Sequence, residues 1–133
     1  MLMRKELSEQ IIRQCVDTYN KCSMEWLDKY YAQTVEWVEL PTRAIPQGRK
    51  GNIDALRRAA EFALNAFPNR QMKIRNIISK GKNVAVELDW WGTASRQLGI
   101  INAGYVSRIR IASFFEVVDD RITKHTDYCI TEK

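Results

Sequence analysis

From Met72 to Thr131 the chain reads as almost uninterrupted β-structure, and this stretch limits the available folds more than any other feature. Met72 to Ser79 and Val84 to Thr93 read as strands joined by the turn Lys80-Gly81-Lys82-Asn83. A loop from Gly99 to Gly104 precedes a long strand, Tyr105 to Val118. Asp119-Asp120 then turns the chain into a last strand, Arg121 to Thr131. Consecutive strands joined by short turns pair antiparallel.

The N-terminal half supplies what can cover such a sheet. Ser8 is placed to cap a first helix carrying Ile11, Ile12, Cys15, Val16 and Tyr19 at helical spacing. After the break at Asn20-Lys21-Cys22, Ser23 is placed to cap a short second helix with Trp26, Leu27, Tyr30 and Tyr31. Thr34 to Leu40 alternates as a strand, with Val35, Trp37 and Glu39 on one face; Pro41 ends it, and a loop runs to Gly51. Asn52 caps a third helix, about Ile53 to Phe67, whose apolar stripe is Leu56, Ala60, Ala63 and Phe67. Helices first and a meander afterwards predict one α+β domain over residues 1–133, with three N-terminal helices on one face of a curved antiparallel sheet. Trp90 and Trp91 point to opposite faces, as do Phe114 and Phe115, so a homodimer packed through the outer face is expected.

The composition narrows the function classes. The 133 residues hold no apolar run long enough to span a membrane, and the N-terminus lacks the apolar core of a signal peptide. Three cysteines without CxxC spacing and a single histidine argue against zinc and for reduced thiols, so a cytoplasmic protein is expected. The net charge of +5 raises the question of nucleic acid. The basic residues are scattered among acids and no nucleic-acid motif accompanies them, so neither nucleic acid nor membrane is an expected partner.

The last strand holds the chain's only histidine, His125, two residues before Asp127. Plain alternation puts Thr123, His125, Asp127 and Cys129 on one face and Ile122, Lys124, Thr126, Tyr128 and Ile130 on the other. An imidazole beside a carboxylate is either an acid–base site or a solvated surface pair. Glu87 and Asp89 share a face with Trp91; they either face a pocket or pair with Arg108 or Arg110 across strands, and the ion pairs are preferred. Nothing argues for an activated thiolate at Cys129.

Several pieces in order carry a resemblance. They are Trp37-Val38-Glu39-Leu40-Pro41 leading to a glycine-containing loop, Phe67-Pro68-Asn69 after the third helix, and Gly92-Thr93 ending a strand. Gly99 to Gly104 before a long strand, Phe114 to Asp120 leading into Arg121-Ile122, and Asp127-Tyr128 complete the set. Together they resemble the SnoaL-like polyketide cyclases, within the cone-shaped fold shared with ketosteroid isomerase, limonene-epoxide hydrolase and nuclear transport factor two. The resemblance implies a sheet curled around a pocket roofed by helices. Asp127 takes the position of the first Asp in the family's Arg-Asp-Tyr-Phe-Asp pattern, while Thr126 replaces the Arg and Ile130 the second Asp. Where the epoxide hydrolases hold their attacking water with Tyr and Asn, Trp37 and Glu39 stand here, so that chemistry is not implied.

What the resemblance does imply is a cofactor-free site without metal, acting on a small, largely apolar carbonyl compound. Asp127 is either the general base, with its pKa raised toward neutrality by an apolar pocket and His125 or a second acid relaying the proton, or a hydrogen-bonded buried Asp that fixes the last strand. Trp37, Glu39, Asp89 and Trp91 are the expected substrate-contacting residues. The same fold also fits a non-catalytic ligand-binding protein or a dimeric interaction module.

Overall fold

In the computed structural model, which describes residues 4–131, helices and strands follow in the order α1 (Arg4–Tyr19), α2 (Glu25–Tyr30), β1 (Tyr31–Glu39), β2 (Arg49–Gly51), α3 (Ile53–Ala66), β3 (Gln71–Lys80), β4 (Asn83–Thr93), β5 (Val106–Val118) and β6 (Arg121–Thr131). The strands form one curved, six-stranded sheet in the order β2-β1-β6-β5-β4-β3. The meander β3 to β6 is antiparallel throughout, as its short turns require. At Asp119-Asp120 both turn residues have positive φ, 51° and 61°, the twist that suits a two-residue hairpin. No helix of the described residues is long and apolar enough to cross a membrane.

The sheet is not wholly antiparallel. The last strand of the meander returns beside β1, and that one pair runs parallel, with Trp37 opposite His125 and Glu39 opposite Asp127. The helical segment around α3 carries the chain from β1 and β2 at one edge to β3 at the other, so closure by β6 need not reverse direction.

Local differences from the sequence reading have identifiable causes. Helix α1 already runs from Arg4, so Ser8 lies inside it and is buried instead of serving as its cap. Tyr31, read with the second helix, is extended (φ −102°, ψ 139°) and opens β1 opposite Ile122. The loop after Pro41 contains a short edge strand, β2, antiparallel to Trp37–Glu39. Gly48 lets it fold back: its φ is +68°, and a Cβ there would lie 2.7 Å from the Glu39 carbonyl oxygen. Asn52 does cap α3, its side chain accepting from the backbone N–H groups of Asp54 and Ala55.

The alternation along β6 is reset once. Val117 pairs with Ile122 while Glu116 pairs with Lys124, leaving Thr123 as an extra residue in β6. Ile122 therefore turns inward and is 0% exposed, although strict alternation from His125 puts it outside. It joins Leu27, Val35 and Val84 in a core between α1, α2 and the sheet. Beyond this core, toward α3, the inner face stays open.

Candidate functional site

The open part is a cavity of about 330 Å³ between the helices and the inner face of the sheet. Every second residue of β4 and β5 points inward, bringing Leu88, Trp90, Ile111 and Phe115 to its wall, opposite Phe67 at the end of α3. Gly92 keeps that end close-fitting, since a Cβ there would lie 2.8 Å from Cβ of Phe67. The wall is largely apolar and aromatic. Its polar groups gather where β1, β6 and β5 run side by side.

Asp127 is at the centre of that group. Its Oδ1 lies 2.7 Å from Nε2 of His125 and 2.6 Å from Oγ of Ser113, its direct partner across β5 and β6. The other imidazole nitrogen, Nδ1, lies 2.8 Å from the Tyr31 hydroxyl, and the ring sits with its centroid 4.4 Å from that of Phe115. Burial pushes the Tyr31 phenol well above its usual range, so it keeps its proton. The hydrogen-bond directions follow for a neutral imidazole. The Tyr31 O–H donates to Nδ1, the Nε2–H donates to Asp127, and the Ser113 O–H donates to the same carboxylate oxygen. Among the described residues nothing donates to Oδ2 of Asp127.

The expectation of a raised carboxyl pKa is corrected by these contacts. Burial is the largest single influence on Asp127 and pushes the value up. The charge that His125 carries once its imidazole is protonated, its hydrogen bond, the Ser113 hydroxyl and the Arg49 charge together outweigh it and hold the carboxyl below its ordinary range. A depressed folded-state value means that the stabilisation is complete above the unfolded value of about 3.9 and is lost as pH falls through the lower folded value. The stability gap between the wild-type protein and Asp127→Asn should therefore narrow in acid, below about pH 4. Urea unfolding over a pH series checks this; a gap that does not change with pH would contradict it.

The other expected site residues divide. Trp37 and Glu39 line the cavity, with Glu39 held by Arg49 of β2, whose Nη2 lies 3.0 Å from both carboxylate oxygens and whose guanidinium is 5.3 Å from the Trp37 ring. Asp89 and Trp91 do not line it. They lie on the opposite sheet face from Leu88 and Trp90, where Asp89 pairs with Arg110 at 2.9 Å and Arg75 at 2.6 Å. The cross-strand ion pair is thus found, and the substrate-contacting role of these two residues is withdrawn. Cys129 shares the cavity face, and burial first, then the charges of Asp127 and Glu39, push its thiol up to about 12, so it is no thiolate. Tyr31 and Ser113, both in contact with the His–Asp pair, were missed from sequence.

Fold and site together define an α+β cone enclosing an aromatic-walled cavity with a buried aspartate–histidine pair; this is the nuclear transport factor two-like fold. Residues 12–125 match the SnoaL-like domain, and the chain belongs to that family. Among solved structures it is similar to wild-type IdmH of Streptomyces antibioticus, a candidate polyketide cyclase, with TM-score 0.78, 19% identity, and coverage of 92% of this chain and 91% of that one. AclR of Streptomyces galilaeus, a candidate hydroxylase, gives TM-score 0.78 and 15% identity over 92% of this chain and 77% of that one. A candidate SnoaL-like polyketide cyclase of Jannaschia sp. CCS1 gives 0.77 and 14% identity over 97% and 89%. At these identities the likeness establishes the fold alone. No curated protein matches the chain.

Proposed function

We propose that the protein binds a small, largely apolar carbonyl compound in the cavity and catalyses a cofactor-free proton transfer on it, as an isomerase or cyclase. The observation that supports this most directly is the state of Asp127. One carboxylate oxygen is fixed by two donors and the other meets no donor among the described residues, in a cavity whose wall is largely apolar. Such a group is ionised at neutral pH and aimed by its partners, which is what abstraction of a proton beside a carbonyl requires. His125 acts through Asp127 by holding it, with Tyr31 and Phe115 setting the ring's orientation. Trp37 and Glu39 contribute wall and rim.

A bicyclic ketone such as 2-tetralone is a suitable test ligand, being apolar with acidic protons beside its carbonyl. The full-length protein in D₂O should accelerate exchange of those protons over buffer, followed by NMR. Absence of both acceleration and binding would remove the catalytic and the ligand-binding readings alike. Binding without acceleration would leave the non-catalytic one.

A dimer is proposed separately, from the outer sheet face. Phe114 and Tyr128, 51% and 48% exposed, stack edge to face at 5.6 Å there, and Ile130 beside them is 70% exposed. A second copy covering this patch would remove apolar area that a lone chain leaves in water. Sedimentation at micromolar concentration should give twice the chain mass, and Phe114→Arg/Tyr128→Lys should give the chain mass. A wild-type monomer would end this proposal without touching the chemistry.

A further inference from the structure

A buried carboxylate can serve a ligand in a second way, as the partner of a positive charge. We infer that the cavity binds lipophilic tertiary ammonium ions, with the single N–H directed to Oδ2 of Asp127 and the N-alkyl groups against the aromatic wall. This goes beyond the proton-transfer reading and does not depend on it. The oxygen that takes a proton from a ketone in that reading here holds a ligand that already carries one.

The charge balance of the wall comes first. Among the described residues the charged groups lining the cavity are Glu39, Arg49 and Asp127, with His125 beside them as a neutral imidazole. Glu39 and Arg49 neutralise each other at the rim, 3.0 Å apart. Asp127 has two hydrogen-bond donors, His125 and Ser113, both on Oδ1, and while the imidazole is neutral it touches no cation. Held below its ordinary range, the carboxyl keeps its charge at neutral pH. Its side chain is 15% exposed, so folding has already removed most of its hydration, and an incoming counter-ion takes little more away. An anion of the same size would meet this unpaired charge and be repelled.

The rings offset the ligand's own loss of hydration. Trp37 and Phe115 stand opposite His125 in β1 and β5, and Asp127 is the next residue of β6 on the same face, about 7 Å along at roughly 3.3 Å per residue. Aromatic faces attract cations through the ring quadrupole, out to about 6 Å from the centroid. Two rings of this wall already do so within the protein. The Arg49 guanidinium is 5.3 Å from the Trp37 ring, and that of Arg70, which is 0% exposed, is 3.8 Å from the Tyr19 ring centroid. Arg70 has no carboxylate partner among the described residues; it donates to the backbone carbonyls of Tyr19 and Ser23, at 3.1 Å each. Carbonyls and an aromatic face thus suffice to hold a buried cation here, and a ligand cation gains a carboxylate in addition.

The number of N–H groups selects among the amines. A primary ammonium brings three donors and a tertiary ammonium one. Against a largely apolar wall each extra N–H is buried without an acceptor, which costs free energy, whereas N-alkyl groups pack there well. The cavity, about 330 Å³, is of the size that holds a small ring system with a short substituent.

The test compares two ligands of one shape. 2-(Dimethylamino)tetralin is protonated at neutral pH, and 2-isopropyltetralin has C–H in place of its N–H⁺. Titrated calorimetrically into the protein, the ammonium should bind at least about tenfold more tightly, as expected for a hydrogen bond between charged groups. Asp127→Asn should weaken the ammonium at least about tenfold and leave the hydrocarbon within about twofold. The comparison in the wild-type protein decides alone if that variant does not fold. Equal binding of the two ligands by the wild-type protein would overturn the inference. So would a preference that survives Asp127→Asn, since the cation would then be held elsewhere. Failure of both ligands to bind would overturn it together with the cavity reading. Exchange of the 2-tetralone protons without a preference for the ammonium would end this inference and leave proton transfer standing, and a preference without exchange would do the reverse.

Discussion

Asp127→Asn should slow the exchange of protons beside the carbonyl of 2-tetralone by about 10²- to 10⁴-fold, the usual range for loss of a positioned general base. The two side chains have the same shape. The amide oxygen can still accept from Ser113 and His125 in place of Oδ1. The amide nitrogen would occupy the place of Oδ2, where it offers N–H groups and no basic lone pair. Binding of the ketone, followed through the fluorescence of Trp37 and Trp90 in the cavity wall, should change little. Exchange that survives the substitution would take Asp127 out of the chemistry. Loss of binding and exchange together would show that the carboxylate serves the cavity's structure and not the reaction.

The features of this site that were legible in the sequence are those that depend on period alone. His125, Asp127 and Cys129 alternate, and the structure puts all three on the cavity. Trp90 and Trp91 separate to opposite faces as alternation requires, and Asp89 finds Arg110 because the β4–β5 register is regular from Asn83 to Thr93. The features that were not legible depend on events a period does not encode. Counting back from the Asp119-Asp120 turn pairs Asp127 with Ala112; the extra residue Thr123 shifts the register by one and brings Ser113 opposite instead. Tyr31 follows Trp26, Leu27 and Tyr30 at helical spacing, so its place beside His125 was hidden until the chain turned extended one residue earlier than the apolar pattern suggested. Arg70, between Asn69 and the start of β3, has no sequence feature that marks a buried cation. Its partners are backbone carbonyls and an aromatic face, which only the fold assembles.

That one-residue bulge also gives the second large expected effect. Strict alternation puts Ile122 and Ile130 on the same outer face, where truncating either would cost about the same. The structure instead buries Ile122 completely and leaves Ile130 70% exposed. Ile122→Ala removes three methyl-sized groups from a packed interior between Tyr31, Val117 and the helices, and should cost about 2–5 kcal/mol of unfolding free energy. Ile130→Ala in a lone chain should stay within about 0.5 kcal/mol. Urea unfolding at two protein concentrations distinguishes the origins. A cost at Ile122 belongs to the fold of each chain and should not depend on concentration. Any cost at Ile130 arises from covering the outer face with a second copy, so it should shrink on dilution as the complex dissociates. Equal and concentration-independent costs at the two positions would mean that β6 alternates without a bulge. Ser113 would then not stand opposite Asp127, and the hydrogen bonds that aim the carboxylate would have to come from elsewhere.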